Sequence, residues 1–190
     1  SIIEDTSRET AIRFMKMNEY IDVLIPRGGA GLIKSAVENS TIPVIQTGTG
    51  NCHVYVDSYG DLNMAEKIVI NAKVSRPGVC NAEEKLLVHK DVADEFIPRI
   101  VKSLKENGVE VRGCEKAIKL SGAIKPVEDI DWHTEYLDYI IAVKVVDSIE
   151  EAIEHINKYG TKHSEAIVTE NYSNSRKFLA EVDAAAVYIN

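Results

Sequence analysis

The chain has 190 residues and a mass of 21.1 kDa, and 45% of its residues are hydrophobic. This length and composition suit one large domain, or one domain with a piece of another, and they argue against a disordered chain. Its 22 lysines and arginines face 30 aspartates and glutamates, a net charge of −8, which argues against nucleic acid or an anionic membrane surface as the main partner. No apolar run in the sequence reaches membrane-spanning length.

The three cysteines, Cys52, Cys80 and Cys114, form an odd number at wide spacings. This pattern is typical of reduced thiols rather than of a disulfide framework, and it predicts a cytoplasmic protein. The sequence contains no CxxC pair, and its five histidines show no metal-ligand spacing. No metal site is therefore predicted.

Strand and helix patterns alternate along the chain. Apolar periodicity predicts helices at 7–17, 32–38, 61–73, 91–107, around 115, 149–159 and 173–182. It predicts strands at 22–26, 42–45, 53–56, 85–89, 109–112, 139–146, 166–169 and 185–189. Such alternation predicts an α/β protein with a parallel sheet and helices on both of its faces.

The turn-rich stretch Gln46–Asn51 interrupts this alternation and is the predicted domain boundary. We therefore expect two domains, residues 1–46 and residues 47–190. Both ends of the chain lie in strand-like runs, Ser1–Ile3 and Val187–Asn190, where an intact domain would usually turn and cap. The sequence is expected to be a piece of a longer protein.

A glycine-rich turn, Arg27, Gly28 and Gly29, lies between the first predicted strand and the helix that follows it. Backbone N–H groups and the helix dipole favour an anion at such a place, and a guanidinium can bind two phosphate oxygens at once. The turn is therefore a candidate phosphate site. A tight turn that merely needs glycines is the alternative.

Cys80 is the candidate nucleophile among the thiols. Pro77 and Gly78 force a turn before it, Arg76 supplies a cation, and Asn81 is polar, so these neighbours do not resemble those of a core residue. Positive charge and free N–H groups on a bend favour the thiolate and offer donors for an oxyanion. For the other two cysteines, packing is the preferred interpretation.

Over nearly all of its length the chain resembles the gamma-glutamyl phosphate reductase (glutamate-5-semialdehyde dehydrogenase) family of the aldehyde dehydrogenase superfamily. The resemblance is carried by IPRGGAGLI, PVIQTGTGNCHVYVD, RPGVCNAEEKLLVH, TEYLDYIIAV and DAAAVYIN, of which RPGVCNA and TEYLD are the most specific. It implies a parallel-sheet catalytic domain of aldehyde dehydrogenase type. The last βαβ part of a Rossmann-like cofactor domain would precede it.

The resemblance also implies roles for single residues. Cys80 falls where the superfamily has its nucleophile. Glu135, in TEYLD, resembles the glutamate that holds the ribose of the NADPH or NADP cofactor, although Leu137 replaces the phenylalanine of the superfamily's Glu-x-Phe motif. The glycine-rich turn matches the segment that lies along the dinucleotide.

The reaction that the resemblance implies is NADPH-dependent reduction of L-glutamyl 5-phosphate to L-glutamate 5-semialdehyde through a thioester on Cys80, the second step of proline biosynthesis. Hydrolytic relatives carry a water-activating glutamate where this chain has Gln46, and an amide cannot accept the proton, so the thioester would be protected from water. Because the substrate is anionic and the chain acidic, local cations must offset the field. Lys73, Arg76 and Asn81 are the candidate substrate-binding residues.

The intact protein is expected to be a homo-oligomer that is functionally coupled to glutamate 5-kinase. The piece given by this sequence is expected to be inactive, because most of the cofactor domain would precede Ser1 and further site residues would follow Asn190. Two alternatives stay open. One is a non-phosphorylating aldehyde dehydrogenase, which Gln46 disfavours; the other is a non-catalytic nucleotide-binding or assembly module, which Cys80 and Glu135 disfavour.

Overall fold

The computed structural model describes residues 2–46 and 48–190. Ser1 and Thr47, which belong to the predicted strand-like start and to the predicted turn-rich break, lie outside the described residues. The chain divides into two compact units, Ser1–Thr49 and Gly50–Asn190. The assignment of the first unit to a cofactor domain stays a prediction.

The first unit contains helix α1 (Arg8–Phe14) and helix α2 (Ala30–Asn39). Its two predicted strands are reduced to one parallel bridge between Leu24 and Val44, in which Leu24 N donates to Pro43 O at 2.9 Å. Pro43 itself has no N–H to donate, so it cannot extend the ladder. The predicted strand–helix–strand order is kept, in its minimal form.

The second unit is built on a seven-stranded sheet. Its strands are β1 (Cys52–Val56), β2 (Glu83–His89), β3 (Glu110–Gly113), β4 (Lys125–Pro126), β5 (Ile140–Val146), β6 (Ser164–Val168) and β7 (Ala186–Ile189). Its helices are α3 (Leu62–Val74), α4 (Lys90–Glu106), α5 (Glu115–Leu120), α6 (Ile149–Tyr159) and α7 (Tyr172–Glu181), with a 3-10 helix at Asp129–Trp132. Every strand pair is parallel, in the order β4-β3-β5-β2-β1-β6-β7. The predicted α/β class with a parallel sheet is confirmed.

Helices cover both faces of this sheet, as predicted. Val54 and Leu86 are paired across β1 and β2 and belong to the core shared with α3, α4 and α5. Tyr55 and Leu87, the next pair along, point to the opposite face and pack with residues of α6 and α7. Because successive strand residues alternate in direction, the two central strands are buried along their whole length.

The amino ends of the central strands meet at one edge of the sheet. Cys52, the first residue of β1, pairs with Glu83, the first residue of β2, and His53 pairs with Glu165 near the start of β6. In most open α/β sheets, ligands bind outside the carboxyl ends of the strands. In this unit the predicted site residues Cys80 and Glu135 instead precede strands, and so lie at the amino edge.

Candidate active site

Cys80 lies in the turn between α3 and β2, and its side chain is exposed. The turn begins with a hydrogen bond from Val79 N to Arg76 O at 3.3 Å. The other two thiols differ, since Cys52 is buried and Cys114 is partly buried against the core. The candidate nucleophile is thus the most exposed of the three thiols.

Cys52 contacts this turn and is expected to be unreactive. Its Sγ donates to Cys80 O at 3.3 Å. Burial, with a smaller contribution from the Glu165 carboxylate, raises the pKa of Cys52 to about 12, so it stays a neutral thiol. The neighbouring His53 ring contacts Glu165 Oε2 at 3.1 Å and not the thiol, as the opposite directions of adjacent strand residues require.

Gly50 joins the Cys80 turn to Glu135. Its N–H donates to Glu135 Oε1 at 2.6 Å. A Cβ at this position would lie 1.4 Å from Cys80 O, so only glycine lets the two backbone segments approach this closely. The sequence indicated only a turn-rich break here. A glycine beside a buried strand is the signal of close backbone approach that could have singled it out.

The loop that carries Glu135 rests on the first residues of β2. Glu84 accepts hydrogen bonds from the N–H groups of Tyr136 and Leu137, and Lys85 Nζ donates to Thr134 O at 2.7 Å. Sequence reasoning missed both Glu84 and Lys85. Charged residues at the start of a strand look solvated in the sequence, and only their burial shows that they have partners.

The predicted substrate-binding residues are placed in different surroundings. Arg76 and Asn81 are exposed in the same turn as Cys80. Lys73 is fully buried, and its Nζ lies 3.3 Å from Glu84 Oε2, so its ammonium is offered to a carboxylate of the protein rather than to solvent. Burial lowers the pKa of Lys73, while Glu84 opposes that shift.

The glycine-rich turn belongs to the first unit, whereas Cys80 and Glu135 belong to the second. Arg27 is exposed there. Gly29 is the N-cap residue of α2 and offers no side chain to its first N–H groups, and a groove of about 410 Å³ beside the turn is lined by Gly28, Lys34 and Gln46 among others. An uncapped helix start next to an arginine fits an anionic group such as a pyrophosphate.

Two features are not found in the described part of the chain. Across residues 2–46 and 48–190, no set of three or more His, Cys, Asp or Glu side chains is arranged to hold a metal ion. Among the helices of those same residues, none combines the length and the apolar character that crossing a membrane requires.

Comparison with known proteins finds relatives that match the whole of this chain. No protein-family model matches the chain. The gamma-glutamyl phosphate reductase of Caldicellulosiruptor saccharolyticus is 65% identical over 193 residues, which cover 100% of this chain and 46% of that protein. Over its whole length, the chain is similar to gamma-glutamyl phosphate reductases. It spans about half the length of the curated relatives that it matches.

Solved structures agree with this similarity. The crystal structure of the Thermotoga maritima gamma-glutamyl phosphate reductase matches 98% of this chain and 45% of its own, with 55% identity and a TM-score of 0.96. An acetylating aldehyde dehydrogenase from Geobacillus thermoglucosidasius shares the fold, at 20% identity and a TM-score of 0.76 over 100% of this chain and 50% of its own. The predicted aldehyde dehydrogenase type of fold is confirmed.

Proposed function

We propose that this chain is the thiol-bearing part of a gamma-glutamyl phosphate reductase that reduces L-glutamyl 5-phosphate to L-glutamate 5-semialdehyde with NADPH, the second step of proline biosynthesis. One observation carries the proposal: the exposed Cys80 lies on a turn that packs against Gly50, and the same glycine binds Glu135. The similarity of the whole of this chain to part of the gamma-glutamyl phosphate reductases supports it. An amide at position 46 supports a reductase over a hydrolytic dehydrogenase.

In this proposal Cys80 performs the covalent chemistry. Its thiolate attacks the acyl carbon of the substrate, a carbon–sulfur bond forms, and the carbon–oxygen bond to phosphate breaks with release of inorganic phosphate. NADPH, when bound, supplies the hydride that converts the thioester to the aldehyde. Cys80 holds the acyl group until then, and its sulfur leaves as the thiolate when the aldehyde carbonyl re-forms.

The residues present fit a dinucleotide. Glu135 is half-buried at the site edge, and its carboxylate has acceptor capacity beyond the bond from Gly50, so it would hold the ribose hydroxyls. Arg27, Gly28 and Gly29, at the start of α2, would hold the pyrophosphate.

Arg76 and Asn81 flank the thiol and are exposed, so in this proposal they meet the phosphate or the carboxylate of the substrate. Lys73 contributes indirectly, through its contact with Glu84. The intact enzyme would be a homo-oligomer in the cytoplasm, functionally coupled to the glutamate 5-kinase that makes its substrate. The chain alone would be inactive, because it covers 46% of a relative's length.

The test uses the full-length reductase that contains this sequence and follows NADP⁺ reduction by glutamate semialdehyde, with and without inorganic phosphate. We expect phosphate-dependent turnover, lost by at least about a thousandfold in Cys80→Ser. The matched control, Cys114→Ser, changes a thiol outside the site and should stay within about threefold of wild type.

Two outcomes would overturn the proposal. Turnover that needs no phosphate would indicate a non-phosphorylating aldehyde dehydrogenase. No turnover under either condition would indicate a non-catalytic module of the same fold.

A further inference from the structure

The Glu84 carboxylate lies beneath the loop that carries Glu135. Glu84 Oε2 accepts a hydrogen bond from Tyr136 N at 3.2 Å, and Oε1 accepts one from Leu137 N at 3.3 Å. These two donors are the backbone groups that directly follow Glu135. One carboxylate therefore fixes the backbone on the carboxyl side of Glu135.

Lys85 fixes the other side of the same residue. Its Nζ donates to Thr134 O at 2.7 Å and lies 4.5 Å from the centre of the Tyr136 ring. Glu84 and Lys85 are consecutive, so the start of β2 holds the loop both before and after Glu135. The backbone of Glu135 has little freedom to shift along the sheet edge.

The loop adopts a backbone conformation that needs such support. Leu137 has a φ of 55°, in the left-handed region that residues with a Cβ rarely adopt. Conformations of this kind persist where the surroundings hold them. The hydrogen bond from Leu137 N to Glu84 is a contact that does so.

Lys73 is the ion-pair partner of Glu84 in a buried place. The two side chains are 0% exposed, and Nζ lies 3.3 Å from Oε2. Burial raises the pKa of Glu84, whereas Lys73, Lys85 and the N–H of Tyr136 favour its ionised form. Without Lys73, the buried Glu84 carboxylate would lose its ion-pair partner, and its charged form would be less stable.

These contacts connect Glu84 and Glu135 with the backbone of Cys80. Glu84 lies in the segment that follows Cys80, its carboxylate binds the loop of Glu135, Glu135 binds Gly50, and Gly50 packs on Cys80 O. We propose that Glu84, with Lys73 as its counter-ion, is a positioning residue that sets the place of Glu135 relative to Cys80 and thereby the affinity for the nicotinamide cofactor. This role rests on the proposed function, in which Glu135 holds that cofactor.

The test is Glu84→Gln, which keeps the shape of the side chain but removes its charge and one of its two acceptor oxygens. In the chain itself, the Tyr136 and Leu137 amides should exchange with deuterium about tenfold faster or more. In the full-length reductase the KM for NADP⁺ should rise about tenfold, with a smaller change in kcat.

The matched control is Glu66→Gln. Glu66 is also a paired carboxylate, but it lies on α3 and binds Arg99 and Ser103, outside this loop. It should leave both the exchange rates and the KM within about twofold of wild type. A structural loss that is general would move both variants alike, whereas a positioning role moves only Glu84→Gln.

If Glu84→Gln does not fold, Lys73→Met/Glu84→Gln replaces it, because the double variant removes both charges of the buried pair, and the same results are expected. Unchanged exchange of the two amides, or a rise in KM no larger than that of Glu66→Gln, would overturn the positioning role. Absence of phosphate-dependent turnover in the wild type would overturn the proposed function and the cofactor part of this role. The exchange rates would then decide alone whether Glu84 holds the loop.

Discussion

Gly50→Ala is the change for which the structure gives the sharpest expectation. The new Cβ would lie 1.4 Å from Cys80 O, 2.3 Å from Cys80 C and 2.8 Å from Cys80 Cα. Non-bonded heavy atoms rest about 3.5–4.0 Å apart, so relieving the contact at 1.4 Å requires the two backbone segments to separate by roughly 2 Å. That separation also pulls Gly50 N away from Glu135 Oε1, to which it now donates at 2.6 Å.

The cost of this change has two sources. Overpacking in a well-packed region costs about 1–3 kcal/mol. Loss of a hydrogen bond to a charged group costs about 1.5–3 kcal/mol. We expect Gly50→Ala to lower the free energy of unfolding of the second unit by about 2.5–6 kcal/mol, because both losses occur together.

Urea unfolding followed by tryptophan fluorescence measures this loss. The chain has one tryptophan, Trp132, whose backbone oxygen accepts a hydrogen bond from Asn51 Nδ2 at 2.8 Å, so the probe lies beside the substituted residue. Gly122→Ala is the control, since a Cβ there meets nothing within 4 Å. The control should change the unfolding free energy by no more than about 0.5 kcal/mol. Equal effects of the two substitutions would refute the close approach of Gly50 to Cys80.

Two other substitutions test separate features. Burial, with smaller contributions from His53 and nearby lysines, lowers the pKa of His155 to about 2, so below its ordinary pKa of 6.5 the unfolded chain binds a proton that the folded chain excludes. His155 therefore lowers the stability of the folded state by up to about 1.4 kcal/mol per pH unit as the pH falls below that value. His155→Asn should remove this contribution, so its unfolding free energy should fall less steeply with falling pH than that of the wild type. Parallel curves for the two proteins would contradict this reasoning. In the full-length reductase, Gln46→Glu would supply a general base and should raise phosphate-independent NADP⁺ reduction about a hundredfold. No gain over Gln46→Met would count against the protective role of the amide.

Helices and central strands could be predicted from the sequence because their signals are local. The helix Ile149–Tyr159 has the predicted bounds, since Ser148 Oγ accepts from Glu151 N at its start and Gly160 follows its end. The two-residue strand Lys125–Pro126 is too short to show a period, and it lies between the predicted helix around 115 and the predicted strand at 139–146, where no element was predicted.

The start of β2 illustrates why buried charges mislead sequence reasoning. The strand was predicted to begin at Lys85, but it begins at Glu83. The prediction missed Glu83 and Glu84 because glutamates are usually exposed to solvent, whereas these two are buried. The same limit affects Lys73, whose charge suggested a substrate contact while its burial gives it a protein partner. Burial depends on contacts between elements that lie far apart in the chain. The apolar periodicity of one element cannot predict those contacts.

The candidate site shows the same division between local and distant signals. Cys80 and Glu135 lie in motifs, so a resemblance to a family could find them. Gly50 contacts Glu135, which is 85 positions away in the sequence, and Glu84 contacts Tyr136, which is 52 positions away. Such contacts exist only once parallel strands have brought their amino ends together, and no spacing in the sequence encodes them.

The exposure of Cys80 changes what thiol reactivity can show. Because Cys52 is buried and neutral, faster alkylation of Cys80 would follow from access alone, in a working enzyme or in an inert module.

The buried Lys73–Glu84 pair is more informative about the role of the site than thiol reactivity is. Replacing a buried ion pair by apolar residues is often neutral or stabilising. A contribution to stability therefore does not explain why this buried pair is present. The hydrogen bonds of Glu84 to the Glu135 loop are the contacts through which the proposed positioning role would act.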